Sequence, residues 1–321
     1  MSKPVVITSY DPGWPARYER EAALARRALG DELLGIEHVG STAVPGLAAK
    51  DIIDILAGVR DRDAAGRCLE PLAREGFSDA TDVTEYEPDW FYCVGKGERP
   101  HDTHLHLCVH DGRFWERHLL FRDHLRAHPD LANEYADLKH RLAARHRDQR
   151  MAYCDAKTGF IRTVEVAARG ISIGRMESGD IDRMYETFRG WGKEREKYAG
   201  YLARQERGER EVLVARSGED VAGYTCLTFR SLYEPFLSGE IPEVVDLNVI
   251  NRFQRLGVGT ALVYRAEERA RELGHPVIGI AVVQSPEYAP AQRLYERLGF
   301  EPDGRGLTEH DNELHFVKRL V

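Results

Sequence analysis

Cysteine is scarce and unpatterned: five in 321 residues, at positions 68, 93, 108, 154 and 226, with no C-x-x-C pair. An odd, scattered set excludes a zinc ribbon or a disulfide framework and reads as reduced intracellular thiols. No stretch approaches the ~18 consecutive apolar residues that a membrane-crossing helix needs. The N-terminal MSKPVVITSYDPGWP lacks the apolar run of a signal peptide. Basic excess is missing too: 45 Lys and Arg stand against 53 Asp and Glu, a net charge of -8. Such a chain has no electrostatic reason to take nucleic acid or anionic membranes as its main partner, and weakly suits a cationic small molecule. Low-complexity tracts, internal repeats and Pro- or Ser-rich linkers are all absent. These absences predict a cytoplasmic protein without a metal staple, and they leave the oligomeric state open.

What is present is length enough for two domains. The net charge divides evenly between the halves, but histidine does not: ten of the 13 precede residue 170. Near that point Ala167-Ala168-Arg169-Gly170 reads as a helix end and a glycine stop, before the alternating Ile171-Ser172-Ile173-Gly174. The expected domains are therefore 1–169 and 170–321, packed closely. The first is mixed α and β, with a helix over 15–29, strands over 52–59 and 103–109, and helical pattern from Trp115 onward. The second alternates more clearly. An apolar stripe of Ile181, Met184, Phe188 and Trp191 marks a helix, and Ser217-Gly218-Glu219-Asp220 turns a hairpin. Strand 244–250, helix 258–273, strand 277–283 and helix 289–298 follow, predicting an α/β (α+β) sheet with crossover helices.

The sharpest motif is Gln254-Arg255-Leu256-Gly257-Val258-Gly259-Thr260, between the strand VVDLNVI and a helix. Glycines let backbone approach a ligand closely, and a helix start presents unpaired N–H groups and a positive dipole end, a ready pyrophosphate site. The glycines could equally serve only a tight turn. Position 262 is Leu, so no G-x-G-x-x-G exists, and no G-x-x-x-x-G-K-[ST] occurs either; NAD and P-loop nucleotides are poor cofactor candidates.

Strand, Q-x-x-G-x-G, helix, strand, then Ala291-Gln292-Arg293-Leu294-Tyr295-Glu296-Arg297-Leu298-Gly299-Phe300 resembles the GNAT acyltransferase superfamily over residues 171–321. The resemblance implies acetyl-CoA held by Leu247, Asn248, Val249, Gln254, Arg255, Leu256, Gly257, Val258, Gly259 and Thr260. Backbone amides of 255–260 would take the pyrophosphate, and the pantetheine arm would lie between the strands 244–249 and 277–283. An amide near Asn248 would serve the oxyanion. Tyr295 matches the family's thiolate-protonating tyrosine; the alternative is a ring packed under the sheet. Asp246 matches an acidic position able to accept the amine's proton or bind an ammonium, with Glu243 and water as rivals. Both carboxylates could instead be solvated strand-edge charges, an alternative that suits Glu243 better. Tyr288 replaces an asparagine often found there.

Residues 37–55, EHVGSTAVPGLAAKDIIDI, place a Gly-Ser turn before carboxylates on a strand, the way nucleotidyltransferases hold phosphate and metal. With THLHL at 103–107, FRDHLRAHP at 121–129, YADLKHRLA at 135–143 and K-x-x-F-I at 157–161, this half resembles the GrpB (UPF0157) family, implying a nucleotidyltransferase-like fold. Two-metal chemistry needs carboxylates at alternate strand positions, yet Asp54 is followed by Leu56, and Asp51 would face the other way. His104 and His106 share a face and could join Asp54 on a metal or phosphate, or simply form a hydrogen-bonded polar cluster. The expected pocket takes a phosphate-bearing or polyhydroxylated ligand at Gly40, Ser41, Lys50, Asp54, His104 and His106, with Mg2+ only if this domain is active. Lys50, Arg122 and Lys139 could otherwise be solvated. The expected function is acetyl-CoA-dependent N-acetylation of a small amine, by fold analogy an aminoglycoside. The rival is a nucleotidyltransferase or phosphate-binding protein whose GNAT half senses acyl-CoA.

Overall fold

The computed structural model describes residues 4–85, 87–97, 101–308 and 312–320. Its contacts divide the chain into two compact units, Met1–Cys154 and Asp155–Val321.

In the first unit, α1 (Trp14–Leu29) precedes β1 (Gly35–Val39), β2 (Ile53–Val59), α2 (Arg62–Arg74), β3 (Phe77–Asp82), β4 (Trp90–Lys96) and β5 (Thr103–Val109). The helices α3 (Arg113–Ala127), α4 (Pro129–Arg145) and α5 (Arg150–Ala156) follow. The sheet order is β1-β2-β5-β4-β3, with β2 and β5 parallel and every other pair antiparallel. Alternation along β2 sorts its side chains. Ile53, Ile55, Ala57 and Val59 join a core with Trp14, Tyr18, Ala22, Ala25 and Leu29 of α1 and Ala64, Ala65, Cys68 and Leu72 of α2. Leu56 goes to the other face, packing with Cys108, Phe114 and Trp115. Asp54 shares that second face, and parallel register sets it beside His104. Asp51 is not in the strand; it accepts hydrogen bonds from Trp14 Nε1 at 2.8 Å and Arg17 at 2.6 Å.

The second unit runs α6 (Thr158–Ala168), β6 (Ile171–Arg175), α7 (Asp180–Phe188), α8 (Arg195–Glu206), β7 (Arg210–Ser217), β8 (Asp220–Thr228), α9 (Glu234–Ser238) and β9 (Glu243–Val249). Then come α10 (Val258–Glu272), β10 (Val277–Val283), α11 (Ala289–Arg297), β11 (Glu301–Leu307) and β12 (Glu313–Arg319). Trp191, assigned to the α7 stripe from sequence, lies past the helix end and is exposed. Seven strands form one sheet, ordered β11-β12-β10-β9-β8-β7-β6. Tyr224, Cys226 and Val245 face α7 and α8, where Met184, Phe188 and Tyr198 cover them. The opposite face packs Leu213, Leu227, Val244 and Ile280 against α10. Helix α6 belongs to this core: Val166 joins it, and Gly159 lies so close to the Tyr264 ring that a Cβ there would sit 2.1 Å from it.

The sheet has one parallel pair, β9 with β10, made only at Gly279↔Glu243 and Ile280↔Val244. Beyond Val244 the two strands run on unpaired to each other. On its other edge β9 carries one extra residue against β8 between Tyr224 and Cys226, a β-bulge at which Asp246 has φ +56°.

Candidate functional site

The parted strands lead to the start of α10. Gly257 precedes the helix at φ +90°, a conformation that a side chain would strain, and no side chain caps the helix. The first amides of α10 are therefore left to an outside acceptor, at the positive end of a 15-residue helix. At Gly259 a Cβ would meet only Val249 and Leu294, at 3.7 and 3.8 Å. The protein itself thus has room for a side chain there. Gln254 donates from Nε2 to the Val249 carbonyl at 3.0 Å, tying the loop to the end of β9. Leu247 and Val249 pack at the edge of the core, Leu256 and Leu294 with them, while Val258 is buried and Arg255 exposed at φ +62°. Thr260 is half-buried in the first turn. The uncapped helix start suits an anionic group, and the parted strands leave a gap leading to it.

Tyr295 is buried in the same core, 6.3 Å from the Phe300 ring. Burial pushes its phenol up to about 12, so it keeps its proton at neutral pH.

Across β9 the bulge turns Asp246 into a recess under α8. Its Oδ1 accepts from Lys193 Nζ at 3.1 Å and Asn248 Nδ2 at 2.8 Å. Its Oδ2 accepts from Tyr201 OH at 2.5 Å and Tyr224 OH at 3.0 Å, with Lys197 Nζ at 3.0 Å. Burial alone would raise this carboxyl, but the Tyr201 hydrogen bond and the lysines hold it well below the usual carboxylate range. Lys193 Nζ also donates to Tyr224 OH at 2.7 Å and Asn248 Oδ1 at 2.8 Å, using all three of its donors. Burial lowers the Lys193 pKa. Asp246 is therefore no solvated edge charge. Nor is Glu243: it is buried at the start of β9, accepts from Ser231 Oγ at 2.6 Å, and burial raises its pKa. Sequence reasoning named none of Lys193, Lys197, Tyr201, Tyr224 or Arg210. The spacing of four from Lys197 to Tyr201, one face of α8, was the available signal; Lys193 stands in the loop before the helix.

In the first unit Gly40 has φ +73°, and a Cβ there would meet Asp54 Oδ2 at 2.6 Å; only glycine lets the turn touch that carboxylate. His104 Nδ1 stands 3.3 Å and His106 Nε2 3.7 Å from Asp54 Oδ1. Burial opposes charge on both Asp54 and His106. The two histidines nevertheless hold Asp54 ionised, and Cys93 and Asp54 raise His106 to about 10. Ser41 instead accepts from Lys139 Nζ at 2.9 Å, and Lys50 stands 5.5 Å over the Tyr153 ring. The alternative of solvated cations fails for two of the three. Lys139 is buried and also bonds the Ala48 carbonyl, and Arg122 is buried against Glu37 at 2.6 Å and the His38 carbonyl at 2.9 Å. Among the described residues no group of three or more His, Cys, Asp or Glu is placed to hold a metal ion. Nearby, His38 lines a cleft of about 580 Å³ with Tyr18, Glu37, Arg122 and Arg126. Its ring stacks on Tyr18 at 4.6 Å. Thr42 donates its hydroxyl to the Ile52 carbonyl, so His38 Nε2, 3.1 Å away, must carry the hydrogen that Thr42 accepts. Burial lowers the His38 pKa to about 4 and keeps it neutral.

The sequence model of the GrpB protein family matches residues 4–166, and that of the acetyltransferase (GNAT) family matches residues 180–300. A UPF0157 protein of Bacillus subtilis, YqkA, is 36% identical over 171 residues, covering 53% of this chain. This chain spans about half, 49%, of that relative. The crystal structure of GrpB from Enterococcus faecalis is 33% identical, covering 51% of this chain and 96% of that one at a TM-score of 0.45. The structure of the acetyltransferase yncA from Salmonella typhimurium, described with acetyl-CoA, is 20% identical over 47% of this chain and 95% of that one at a TM-score of 0.39. By the match over half its length the chain belongs to the GrpB family, and a GNAT acetyltransferase domain follows that region in the same polypeptide.

Proposed function

We propose that the protein is an acetyl-CoA-dependent N-acetyltransferase acting on a small primary amine, with its chemistry in the second unit. The observation that carries this is the seam between β9 and β10, which pairs at two positions and then parts, opening onto the uncapped start of α10. Acetyl-CoA supplies an activated acetyl thioester. The first amides of α10, from Val258 to Thr260, hold its pyrophosphate. A backbone amide of β9 near Asn248 stabilises charge on the acyl oxygen. The amine nitrogen forms the new C–N bond as the C–S bond breaks. Tyr295 gives its proton to the departing thiolate, and the amine gives up one of its own.

Asp246 is a poor acceptor for that amine proton. Its oxygens already take five donors, and its low pKa makes it a weak base. Glu243, with a raised pKa, is the better-matched base, directly or through water. A pH profile of kcat in Glu243→Gln that loses its acidic limb would support that assignment; an unchanged limb would give the task to water alone.

The enzyme reading is tested by thiol release from acetyl-CoA across a panel of amines. Measurable acetyl-CoA binding with no thiol release for any amine would overturn it. Nucleotidyl transfer by the first unit is not favoured, because Asp54 is tied to His104 and His106 and no second carboxylate shares its strand face.

A further inference from the structure

We infer that the recess beside the β9 bulge is an anion site, and that the acceptor amine carries an acidic group, carboxylate or phosphate, which binds there. The word acceptor rests on the acetyltransferase reading; the electrostatics of the recess do not.

Three cations, Lys193, Lys197 and Arg210, converge on this recess against one carboxylate, Asp246. Lys193 reaches one Asp246 oxygen at 3.1 Å and Lys197 the other at 3.0 Å, so one negative charge is shared by two positive ones. The Arg210 guanidinium covers the Tyr201 ring at 4.9 Å. Its Nε is buried without a hydrogen-bond partner, while the rest of the guanidinium lies by the Cys226 thiol, with the Glu209 carboxylate as its nearby opposite charge. The adjacent Glu209 is exposed and holds Arg207 at 2.5 Å. Lys193 is mostly enclosed, with 14% of its side chain exposed, over the Tyr224 and Trp191 rings at 5.1 and 5.8 Å. An uncompensated surplus of cations in a half-buried site is costly, and an incoming anion relieves it. Burial already depresses the Lys193 pKa, in keeping with that cost.

The same geometry disfavours a polycation. Lys197, more open than Lys193 at 37% exposure, would meet an incoming ammonium with like charge, and the Asp246 oxygens have no free position for it. The chain's net charge of -8 suggests a cationic acceptor, such as an aminoglycoside; the local sign is the opposite. What decides recognition is the charge within a Debye length of about 8 Å.

Two measurements test this. The first is thermal unfolding in inorganic phosphate against chloride at equal ionic strength. Phosphate should protect the wild type and lose most of that effect in Lys197→Glu and in Arg210→Gln; equal protection of all three proteins, or none, overturns the anion site. The second compares β-alanine, phosphoethanolamine, ethanolamine, putrescine and an aminoglycoside as acceptors, by calorimetry for binding and thiol release for turnover. β-Alanine or phosphoethanolamine should exceed ethanolamine and putrescine by about tenfold or more, and Lys197→Glu should abolish the advantage. Which of the two leads identifies the acidic group. A preference for putrescine or the aminoglycoside sinks the inference while leaving the acetyltransferase reading intact. Phosphate protection without turnover of any amine does the reverse.

Discussion

At the scale of single residues, one phenol and one imidazole make sharp predictions. Tyr295→Phe removes a proton donor and leaves the ring in its core, so acetyl-CoA affinity should hold while kcat falls roughly 10²-fold. Unchanged kcat by thiol release would return Tyr295 to a packing role. His38 concerns stability. Its folded pKa of about 4 lies below the ordinary 6.5, so as pH falls the unfolded chain takes the proton first. Its contribution is complete above pH 6.5 and is lost as pH drops towards 4, at most ~3 kcal/mol over that window. Gln at this position can still donate to Thr42 and cannot titrate. Urea unfolding of His38→Gln at pH 7 and pH 5 should therefore show a smaller loss between the two than the wild type. An equal loss would mean that His38 does not stay neutral on folding.

Among elements, α10 separates fold from function. Gly259→Asp introduces a carboxylate into the first turn, where the helix dipole favours it by ~0.3–1 kcal/mol, and its Cβ finds ordinary contacts only. The melting temperature should hold or rise slightly, while acetyl-CoA binding by calorimetry falls at least tenfold, since the acid stands where the pyrophosphate goes. Retained affinity would move the pyrophosphate elsewhere. Gly257 is a worse probe, because its φ of +90° strains any replacement. This contrast also shows what sequence could convey. Strand, glycine loop and helix over 244–273 were legible because a periodicity of two gives way to one of 3.6 across Gly257, a local property. The β9 bulge was not: an extra residue exists only relative to β8, and no pattern within VVDLNVI announces it. Nor was the fate of Asp246 legible, because its five donors come from a loop, α8, β8 and its own strand. In the first unit, the shared face of His104 and His106 followed from alternation, but their pairing with Asp54 needed the parallel register of β2 and β5. Glycine at position 40 looked like turn chemistry and turns out also to be a close approach to that carboxylate.

For the whole molecule, the informative comparison is between two shortened chains. Residues 170–321 begin at the glycine stop that sequence suggests, whereas 155–321 follow the contacts. The shorter piece lacks Val166 from the core, the Gly159–Tyr264 contact and the Arg162 side chain packed beside Gly257. Losing one buried valine alone costs about 1.5–3 kcal/mol. The 155–321 fragment should thus unfold at clearly higher urea than 170–321, and equal midpoints would show α6 to be dispensable.

Helix α6 has a consequence for inheritance as well. The GrpB match runs to residue 166, so most of α6 is drawn from one lineage, while its side chains complete the core of the unit that carries the other. The two lineages therefore do not part where the two folding units part. A recombination event, natural or engineered, that swapped the acetyltransferase at the family border would set an incoming α10 against most of the resident α6. Natural variation along one side of α6 should accordingly track substitutions at Val258 and Tyr264, tying together the histories of two families that otherwise have no reason to co-vary.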